Sequence, residues 1–522
     1  MAKPKTTRKY RRVKFSRDFV LFPFNLANFA GFAILDLMNK ELATVAIIGR
    51  PNVGKSTLFN LFLGERKSIV SSIAGTTRDN LIEKVNSNPR THRGKFNFFL
   101  VDTAGLTNEK GDSLEEEIQK QSELAQENAD LILFLVDGRK DLTADDYAIA
   151  EKLRKNRQVP VIFCANKVDD ATLQNWDLMK LGLGEPIIIS AKNRVGLDEL
   201  TAEIEEKLTL AGFPTAQEIF AENEQENAIK IAFVGRPNVG KSSLMNKLTN
   251  KKLSVVSNIS GTTRDTIDTE FEDEEGQKYI LLDTAGLRRA GKIGKRLEYW
   301  SAVRTARAIE RSDVCVLMLD ALDGVTHQDL VIAGKILKAG KGIIIAVNKF
   351  DLALEKSRGK EETDSREIPE IKMWAEKIEV IRDRFLNYLA QKIRFLSWAP
   401  VLFISAKTGQ GIEDIFTSAK GIFAERQKHI PTSRLNKVIP EIVHSHVLPA
   451  VGTKRGKIKF VTQADSVPPK FIFHVNNAKA FHATYRRYLE NKLREKFGFH
   501  GTPIRLEFRD AMDEFKGQKK KK

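Results

Sequence analysis

Two stretches of this sequence have the residue types and spacing of a phosphate-binding loop. The first reads Gly49-x4-Gly54-Lys55-Ser56 and stands between an apolar run and an amphipathic stretch. Glycines at these positions let successive backbone N–H groups point at phosphate oxygens, and the start of the following helix adds partial positive charge. Lys55 can then bridge the β- and γ-phosphates while the Ser56 hydroxyl binds Mg²⁺. The pattern therefore predicts a nucleoside triphosphate site.

The whole motif set occurs twice. Residues 45–56 recur at 231–242, an offset of 186 (231 minus 45), and Gly-Thr-Thr-Arg-Asp recurs at the same offset. Asp-Thr-Ala-Gly-Leu and Asn-Lys-x-Asp are also each present twice, in the same order along the chain. Two copies of one domain therefore lie in tandem.

The other repeated motifs predict how the rest of a nucleotide would be held. Asp102 and Asp283 end strand-like segments and are expected to hold Mg²⁺ through water, with the Gly105 and Gly286 amides turned toward the γ-phosphate. Thr77 and its counterpart in the second copy fall where a switch segment could reach the metal. The preceding threonines, Thr76 and Thr262, are the alternatives.

Asn-Lys-x-Asp predicts the choice of base. A carboxylate at Asp169 or Asp351 can accept hydrogen bonds from both N1–H and the 2-amino group of guanine, which adenine does not offer. A site built around a distinguishing polar group can reject analogues strongly, so the motif favours GTP over ATP. Two Ser-Ala-Lys tripeptides, each after a strand, are expected to close over the base through backbone amides.

Alternating elements must position these motifs. Short runs rich in Val and Ile alternate with longer helical stretches in each copy, which indicates a mostly parallel sheet with helices on both faces. The six runs predicted as strands are 131–136, 160–165, 186–189, 314–319, 342–347 and 401–404. A linker with four glutamates is expected at 211–227, and a charged insertion at 355–377.

From Thr432 onward the pattern changes to a small α+β domain. Its strand candidates are 457–461, 470–475 and 504–508. Six apolar residues between them recur at helical spacing: Phe481, Tyr485, Tyr488, Leu489, Leu493 and Phe497.

Composition excludes several classes of protein. The 522 residues have a mean hydropathy of -0.31 and are 42% hydrophobic, so the chain is neither disordered nor a polytopic membrane protein. Cys164 and Cys315 lie in apolar runs and cannot form a disulfide framework, which favours a reducing cytoplasm.

The net charge of +17 is concentrated at the two ends of the chain. Residues 1–20 contribute +7 (8 basic minus 1 acidic) and residues 434–522 contribute +12 (20 minus 8), leaving -2 between them. A basic C-terminal end predicts attraction to a polyanion such as RNA. Five histidines lie after residue 433, but they lack the spacing of a zinc site.

The motif set resembles the TRAFAC-type GTPases, and its arrangement is similar to the tandem-domain Der (EngA) family of ribosome biogenesis. The likeness runs from about residue 41 to residue 509, and includes Ile430-Pro-Thr-Ser-Arg-Leu-Asn436, Tyr485-Arg-Arg-Tyr-Leu-Glu-Asn491 and Gly501-Thr-Pro-Ile504. The family implies two P-loop GTPase domains, a KH-like C-terminal domain, GTP hydrolysis, and a monomeric cytoplasmic factor acting on the large ribosomal subunit and its rRNA.

The resemblance also sharpens the expected mechanism. Leu106 and Leu287 stand where Ras-like enzymes carry a water-orienting Gln, so that group is missing from both sites. Family members with Asn in the loop, here Asn52 and Asn238, resemble GTPases that bind K⁺ beside the phosphates; the alternative is that each Asn only stabilises the turn. Gly452-Thr-Lys-Arg-Gly456 is one residue too long for the Gly-x-x-Gly clamp of KH domains.

Together these arguments predict the following site residues. The catalytic set is Lys55, Thr77, Asn52, Lys241, Thr263 and Asn238. The Mg²⁺ set is Ser56, Thr77, Asp102, Ser242, Thr263 and Asp283, and the K⁺ set is Asn52 and Asn238. GTP in domain 1 is expected to contact Gly49, Arg50, Pro51, Asn52, Val53, Gly54, Lys55, Ser56, Thr57, Asp102, Thr103, Ala104, Gly105, Leu106, Asn166, Lys167, Val168, Asp169, Ser190, Ala191 and Lys192. GTP in domain 2 is expected to contact Gly235, Arg236, Pro237, Asn238, Val239, Gly240, Lys241, Ser242, Ser243, Asp283, Thr284, Ala285, Gly286, Leu287, Asn348, Lys349, Phe350, Asp351, Ser405, Ala406 and Lys407.

The expected domains are an N-terminal extension (1–40), GTPase domain 1 (41–209), an acidic linker (210–227), GTPase domain 2 (228–430), the KH-like domain (431–515) and a basic tail (516–522). The extension combines a basic stretch with the uncharged run 19–35, which is short for a membrane span and interrupted by Pro23. We expect translation to start at Met38; peptides from residues 1–37 of the native protein would rule that out.

Two other functions stay open from the sequence. A tRNA-modification GTPase shares the Gly-Thr-Thr-Arg-Asp segment, but resembles a single copy and usually carries a cysteine at its modification site. The hypothesis of a membrane-associated structural GTPase rests on the uncharged run alone. Comparing liposome binding before and after deletion of residues 1–37 distinguishes this hypothesis from the others.

Overall fold

The computed structural model describes residues 42–63, 82–86, 96–103, 123, 125–155, 159–169, 176–215, 228–250, 254–260, 267–273, 275–282, 298–358, 370–446 and 456–510. The expectations for residues 1–41, for most of the linker, and for the basic tail lie outside these ranges. No helix within them is long and apolar enough to cross a membrane.

Domain 1 is a sheet of six strands with helices on both faces. Its strands are β1 (Ala43–Ile48), β2 (Ile82–Val85), β3 (Phe98–Asp102), β4 (Leu131–Asp137), β5 (Val161–Asn166) and β6 (Ile187–Ile188), in the order β2-β3-β1-β4-β5-β6. Its helices are α1 (Lys55–Leu63), α2 (Ala144–Lys155) and α3 (Leu197–Leu210). All pairings except β2–β3 are parallel, and β1 and β4 are buried along their whole length, as expected for strands covered on both faces.

Among the described residues, domain 2 repeats this sheet and adds strand β8 (Ser254–Ser260), whose counterpart in the repeat, residues 68–74 of domain 1, lies outside the described ranges. Its strands are β7 (Ile229–Val234), β8 (Ser254–Ser260), β9 (Ile267–Glu272), β10 (Lys278–Leu282), β11 (Val314–Asp320), β12 (Gly342–Asn348) and β13 (Val401–Phe403), in the order β13-β12-β11-β7-β10-β9-β8. Its helices are α4 (Lys241–Asn250), α5 (Glu298–Arg311), α6 (His327–Ala339), α7 (Phe350–Arg358), α8 (Glu370–Lys392) and α9 (Glu413–Gln427).

The six strand predictions agree with the structure to within about two residues at each end, which is the usual uncertainty of strand limits. The predicted charged insertion is partly helical, because α7 ends inside it and α8 begins there. Tyr388 on α8 ties this addition to domain 2, since its hydroxyl accepts a hydrogen bond from the Val325 backbone N–H at 3.0 Å.

Helix α5 of domain 2 packs against domain 1. The Val303 side chain, 2% exposed, joins the apolar cluster that includes Phe99 and Val101 of β3. Beside it, Arg307 donates to Asp130 Oδ2 at 2.7 Å and to Thr44 Oγ1 at 2.6 Å. Two more ion pairs reach strand β2, and they are Lys84 with Glu310 and Lys338 with Glu83. The contact between the domains thus has an apolar centre and a charged rim.

The third domain contains helices α10 (Thr432–Ser445) and α11 (Ala483–Phe497) on a three-stranded sheet. Its strands are β14 (Ile458–Ser466), β15 (Pro469–Val475) and β16 (Arg505–Asp510), in that order, with β14–β15 antiparallel and β15–β16 parallel. The predicted helix was wrong at its first residue: Phe481 lies before α11, where it ends a short 3₁₀ turn at Ala478–Ala480, although its ring is buried in the same core.

The third domain is docked on domain 2 through backbone and charge. The Ile343 N–H of β12 donates to the Gly501 carbonyl at 2.8 Å, and the Arg494 guanidinium stacks over the Trp398 ring at 4.2 Å. At the end of α6, Arg505 of the third domain donates to the Lys338 carbonyl, beside Arg426 of α9 in domain 2, which donates to the Gly340 carbonyl. Cations at a helix C-terminus are favoured by its dipole.

Candidate nucleotide sites

Both phosphate loops lie at the carboxyl ends of the central parallel strands, where ligands bind in open α/β sheets. The first loop joins β1 to α1 and the second joins β7 to α4. Asn52 and Asn238 have φ of 64° and 65°, in the left-handed region that Asn tolerates better than most residues. This conformation gives each Asn a structural reason to be present.

The loop lysines lie under their own loops, with Lys55 buried and Lys241 partly buried. Lys55 Nζ donates to the Gly49 and Arg50 carbonyls, the latter at 2.9 Å. Lys241 Nζ does the same in domain 2, with 2.7 Å to both the Gly235 and the Arg236 carbonyl. Burial lowers the pKa of each lysine from 10.5 to about 8. A phosphate brought to this ammonium would favour its charged form.

One asparagine in each domain joins the phosphate loop to the base-binding end. The Asn166 side chain donates to the Val53 carbonyl at 2.8 Å and accepts from the Ala191 N–H at 3.0 Å. Asn348 repeats both bonds, at 2.7 Å to the Val239 carbonyl and 2.8 Å from the Ala406 N–H. A single side chain thus fixes the distance between the predicted phosphate and base contacts.

The lysine of Asn-Lys-x-Asp is held by an aspartate that ends a strand. Lys167 Nζ lies 2.8 Å from Asp137 Oδ2 and also donates to the Asn52 carbonyl. Lys349 Nζ lies 2.6 Å from Asp320 Oδ2. The lysine pairs hold the pKa of both aspartates below the usual range, against the opposing effect of burial. These aspartates were missed from the sequence.

The base-reading aspartates are held differently. Asp169 Oδ1 accepts from the Ser190 hydroxyl at 2.8 Å and from the Asn193 amide at 2.9 Å. The serine hydroxyls accept the same backbone bond in both domains, Ser190 from the Asn193 N–H at 3.3 Å and Ser405 from the Thr408 N–H at 3.1 Å. Asp351 lies in the first turn of α7. The lysines of the Ser-Ala-Lys tripeptides, Lys192 and Lys407, are exposed at this end of each site.

Two of the three predicted Mg²⁺ ligands of domain 1, Ser56 and Asp102, are adjacent. The Ser56 hydroxyl donates to Asp102 Oδ2 at 2.7 Å, which brings together a hydroxyl and a carboxylate. Hard oxygen donors of this kind are the ligands that Mg²⁺ prefers, so the pair fits the ion. Thr103, next along the chain, is instead buried and donates to the Ile47 carbonyl, which fixes the end of β3.

The loop arginines point away from the predicted phosphate contacts. Arg50 Nε lies 3.1 Å from Asp146 Oδ2, and Arg236 Nε lies 3.7 Å from Asp329 Oδ2. Both aspartates are 1% exposed and also accept from a threonine that begins the helix. The repeated Thr-x-x-Asp at 143–146 and 326–329 is a capping-box pattern that could have revealed this anchor from the sequence.

Ten predicted site residues lie outside the described residues, so the structure does not place them. In domain 1 they are Thr77, Ala104, Gly105 and Leu106, and in domain 2 they are Thr263, Asp283, Thr284, Ala285, Gly286 and Leu287. The remaining loop residues, Pro51, Gly54, Thr57, Pro237, Gly240, Ser242 and Ser243, lie in or directly after the two phosphate loops. Val168 and Phe350 are buried beneath the base-binding end.

A phosphate loop at the end of a doubly wound parallel sheet, joined by Asn-Lys-x-Asp to a base-binding end, defines a P-loop GTPase, and this chain contains two of them. Comparison with known proteins agrees. The family model described as "50S ribosome-binding GTPase" matches residues 44–167 and 230–349, and the model described as "KH-domain-like of EngA bacterial GTPase enzymes, C-terminal" matches residues 429–509.

Curated relatives match along almost the whole chain. GTPase Der of Clostridium kluyveri is 41% identical over 90% of this chain and 99% of its own length. GTPase Der of Caldanaerobacter subterraneus is 44% identical over 88% of this chain and 97% of its own length. A solved complex of Era with MgGDPNP and nucleotides 1506–1542 of 16S ribosomal RNA is 20% identical over 54% of this chain, with a TM-score of 0.26. The chain belongs to the Der (EngA) family, and it binds and hydrolyses GTP.

Proposed function

We propose that this chain is an assembly factor for the large ribosomal subunit, in which the nucleotide state of the two GTPase domains sets the domain arrangement that binds rRNA. One observation carries the proposal: a basic KH-like domain is docked directly on the second of two domains that each contain a phosphate loop. The description of the matching family, which names the 50S ribosome, supports the choice of subunit. The factor acts as a monomer in the cytoplasm, in keeping with two buried cysteines that are free thiols.

The roles of the loop residues follow from their positions. Lys55 and Lys241 would contact the β- and γ-phosphates of bound GTP, and the Ser56 hydroxyl and the Asp102 carboxylate would hold Mg²⁺, which would supply positive charge to the phosphates. Ser242 occupies the corresponding place at the start of α4. The predicted partners Thr77, Thr263 and Asp283 complete these sites within the proposal.

A monovalent cation is the second part of the proposed chemistry. The side chains of Asn52 and Asn238 are exposed at the rim of each loop, where an amide oxygen can face K⁺ beside the phosphates. With Leu106 and Leu287 in place of a water-orienting Gln, that cation would supply charge stabilisation of the kind that an arginine finger supplies in other GTPases. Hydrolysis should then be faster in KCl than in NaCl at equal ionic strength, and equal rates would remove this part.

The structure supports a path from the nucleotide of domain 2 to domain 1. Helix α5 begins 11 residues after Leu287, the last residue of the Asp-Thr-Ala-Gly-Leu motif expected at the γ-phosphate (298 minus 287), and its Val303 and Arg307 contact domain 1. A nucleotide can shift an arrangement of domains only if it binds one arrangement more tightly than another. We therefore infer that the γ-phosphate in domain 2 favours a different placement of α5 than GDP does.

Cosedimentation with purified large and small ribosomal subunits tests the proposal. The full chain is mixed with each subunit in the presence of a non-hydrolysable GTP analogue, GDP or no nucleotide. We expect binding to the large subunit that is at least tenfold tighter in one nucleotide state, a factor worth about 1.4 kcal/mol. Binding that ignores the nucleotide would contradict the switch, and binding confined to the small subunit would contradict the choice of partner.

A further inference from the structure

The outer face of the third-domain sheet carries an exposed aromatic ring. Phe460 on β14 is 41% exposed, and its ring stacks on His474 of β15 at 4.0 Å with an interplanar angle of 11°. The side chains of Phe471 and Phe473, which alternate with His474 along β15, pack into the domain core. Phe460 therefore lies on the opposite face of the sheet, away from helices α10 and α11.

The strand register places a cation in the same row as this ring. Phe460 pairs with His474, and His474 pairs with Arg509 of the next strand, so the three residues form one row across the sheet. Arg509 is 43% exposed, and Lys457 and Lys459 are exposed at the edge strand β14. We call the face formed by Phe460, His474 and Arg509 the aromatic row.

The charge of this face is positive. Its acidic group, Glu507, is held between Arg509 at 2.6 Å and Lys470 at 2.9 Å, and these cations lower its pKa to about 2. The described residues 456–510 carry 11 Lys or Arg against 5 Asp or Glu, a net charge of +6 (11 minus 5). The domain docks on domain 2 through the opposite end of the sheet, since Arg505 and Gly501 make those contacts. The aromatic row is therefore at the far end from domain 2.

We propose that the aromatic row binds single-stranded RNA, with an unpaired base stacked on Phe460 and the flanking Arg509, Lys457 and Lys459 contacting its phosphates. The proposal rests on the proposed function and names the surface that would carry it out. Sheets that present aromatic rings between cations bind single strands because every base has a face that can stack. A stacking surface needs no Gly-x-x-Gly clamp, so it suits a KH-like domain whose sequence has no clean match to one.

Phe460→Ala in the full chain tests the proposal. The probe is a fluorescent single-stranded oligoribonucleotide of about 12 nucleotides, with the matching RNA duplex beside it, and binding is measured by fluorescence anisotropy at fixed salt. We expect the single strand to bind about 5- to 150-fold more weakly, the equivalent of one stacked base, and duplex binding to change less than twofold. Phe460→Trp should retain the affinity of the wild type. Tyr147→Ala, which removes an aromatic ring of equal exposure from domain 1, is the matched control.

Four other outcomes are possible, and each would contradict either the inference or the proposed function. A variant that keeps its RNA affinity but unfolds at a lower temperature would show that Phe460 is covered by this chain itself. Loss of subunit cosedimentation with unchanged RNA affinity would assign the face to a protein. Unchanged cosedimentation and unchanged RNA affinity would refute the aromatic row and leave the proposed function standing. A wild-type chain that binds subunits in no nucleotide state would instead refute the proposed function.

Discussion

Domain 1 and domain 2 hold their phosphate-loop lysines with the same bonds but hold their base-reading aspartates with different ones. Around the loop, the hydrogen bonds of Lys55 and Asn166 recur at Lys241 and Asn348. Bonds at corresponding positions differ in length by no more than about 0.2 Å. At the base, Asp169 accepts side-chain hydrogen bonds from Ser190 and Asn193, whereas Asp351 lies in the first turn of α7. The serine hydroxyl of each domain accepts the same bond from a backbone N–H three residues later.

The contacts that each GTPase domain makes with neighbouring domains differ more than the two nucleotide sites do. Domain 2 contacts domain 1 through α5 and the third domain through the end of α6, so it lies between the other two. Duplication has therefore kept the chemistry of phosphate binding in both copies, while the parts that could regulate it have diverged. The two sites should hydrolyse GTP by one mechanism yet respond differently to changes at the base and at domain contacts.

The largest expected effect is the loss of a loop lysine. Lys55→Ala and Lys241→Ala should each lower hydrolysis at their own site by about 10²- to 10³-fold, because a preorganised positive charge leaves the transition state. Single-turnover assays on each variant and on the double variant measure the two contributions. The rates of the single variants should add up to that of the wild type. A single variant that silences both sites would show that the copies do not act independently.

The pH dependence of nucleotide binding should be equal in the two sites. Both lysines have a pKa of about 8 without nucleotide, and binding favours the charged form, so affinity should be flat below pH 8 and fall above it. Between pH 7 and pH 9 we expect a loss of about tenfold in GDP affinity at each site.

Calorimetric titration at several pH values, with the other site disabled by Asp169→Asn or Asp351→Asn, measures this for each domain. Lys→Arg at the loop should flatten the profile, because arginine does not titrate in this range. An affinity that falls with pH in only one domain would mean that the two loop lysines differ in pKa, despite the hydrogen bonds that they share.

Substitutions at the base-binding end should lower nucleotide affinity by different amounts in the two domains. Asn193→Ala removes one of the bonds that orient Asp169, and we expect GDP affinity at site 1 to fall about threefold, a modest value because this contact is exposed to solvent. Thr408→Ala at the corresponding place should change site 2 less than twofold, because the contact there uses the backbone N–H. The same calorimetric titrations measure GDP affinity in both variants. Equal losses of affinity would contradict the expected difference between the two domains.

The smallest effect concerns the second anchor of the domain 2 loop. Asp323→Ala removes the partner 2.6 Å from Arg236 but leaves the buried Asp329 in place. Since Asp323 is 57% exposed, we expect the free energy of unfolding of domain 2 to fall by less than about 1 kcal/mol. Urea unfolding, with Asp177→Ala on domain 1 as the exposed ion-pair control, measures it. A cost above about 2 kcal/mol would make Asp323 the main anchor.

The sequence predicted those features that depend on local spacing. The phosphate loops and the buried strands follow from motif and periodicity, since each is set by residues close together in the chain. Asn193 was missed because it meets Asp169 only through packing of the sheet. The Thr-x-x-Asp pattern marks Asp146 and Asp329 as helix-capping residues, but only the packing shows that they also hold Arg50 and Arg236. No sequence motif marks helix α5, and only the structure shows that Val303 belongs to the core of another domain.

Helix α5 also has a consequence for the order of synthesis. Val303 completes an apolar cluster of domain 1 that includes Val136, yet it follows Val136 by 167 residues (303 minus 136). At a translation rate of about 5–20 residues per second, Val303 leaves the ribosome roughly 10–30 s later. The nascent first domain therefore spends that interval with part of its apolar surface uncovered, and its final packing is completed by a segment that belongs to the second domain.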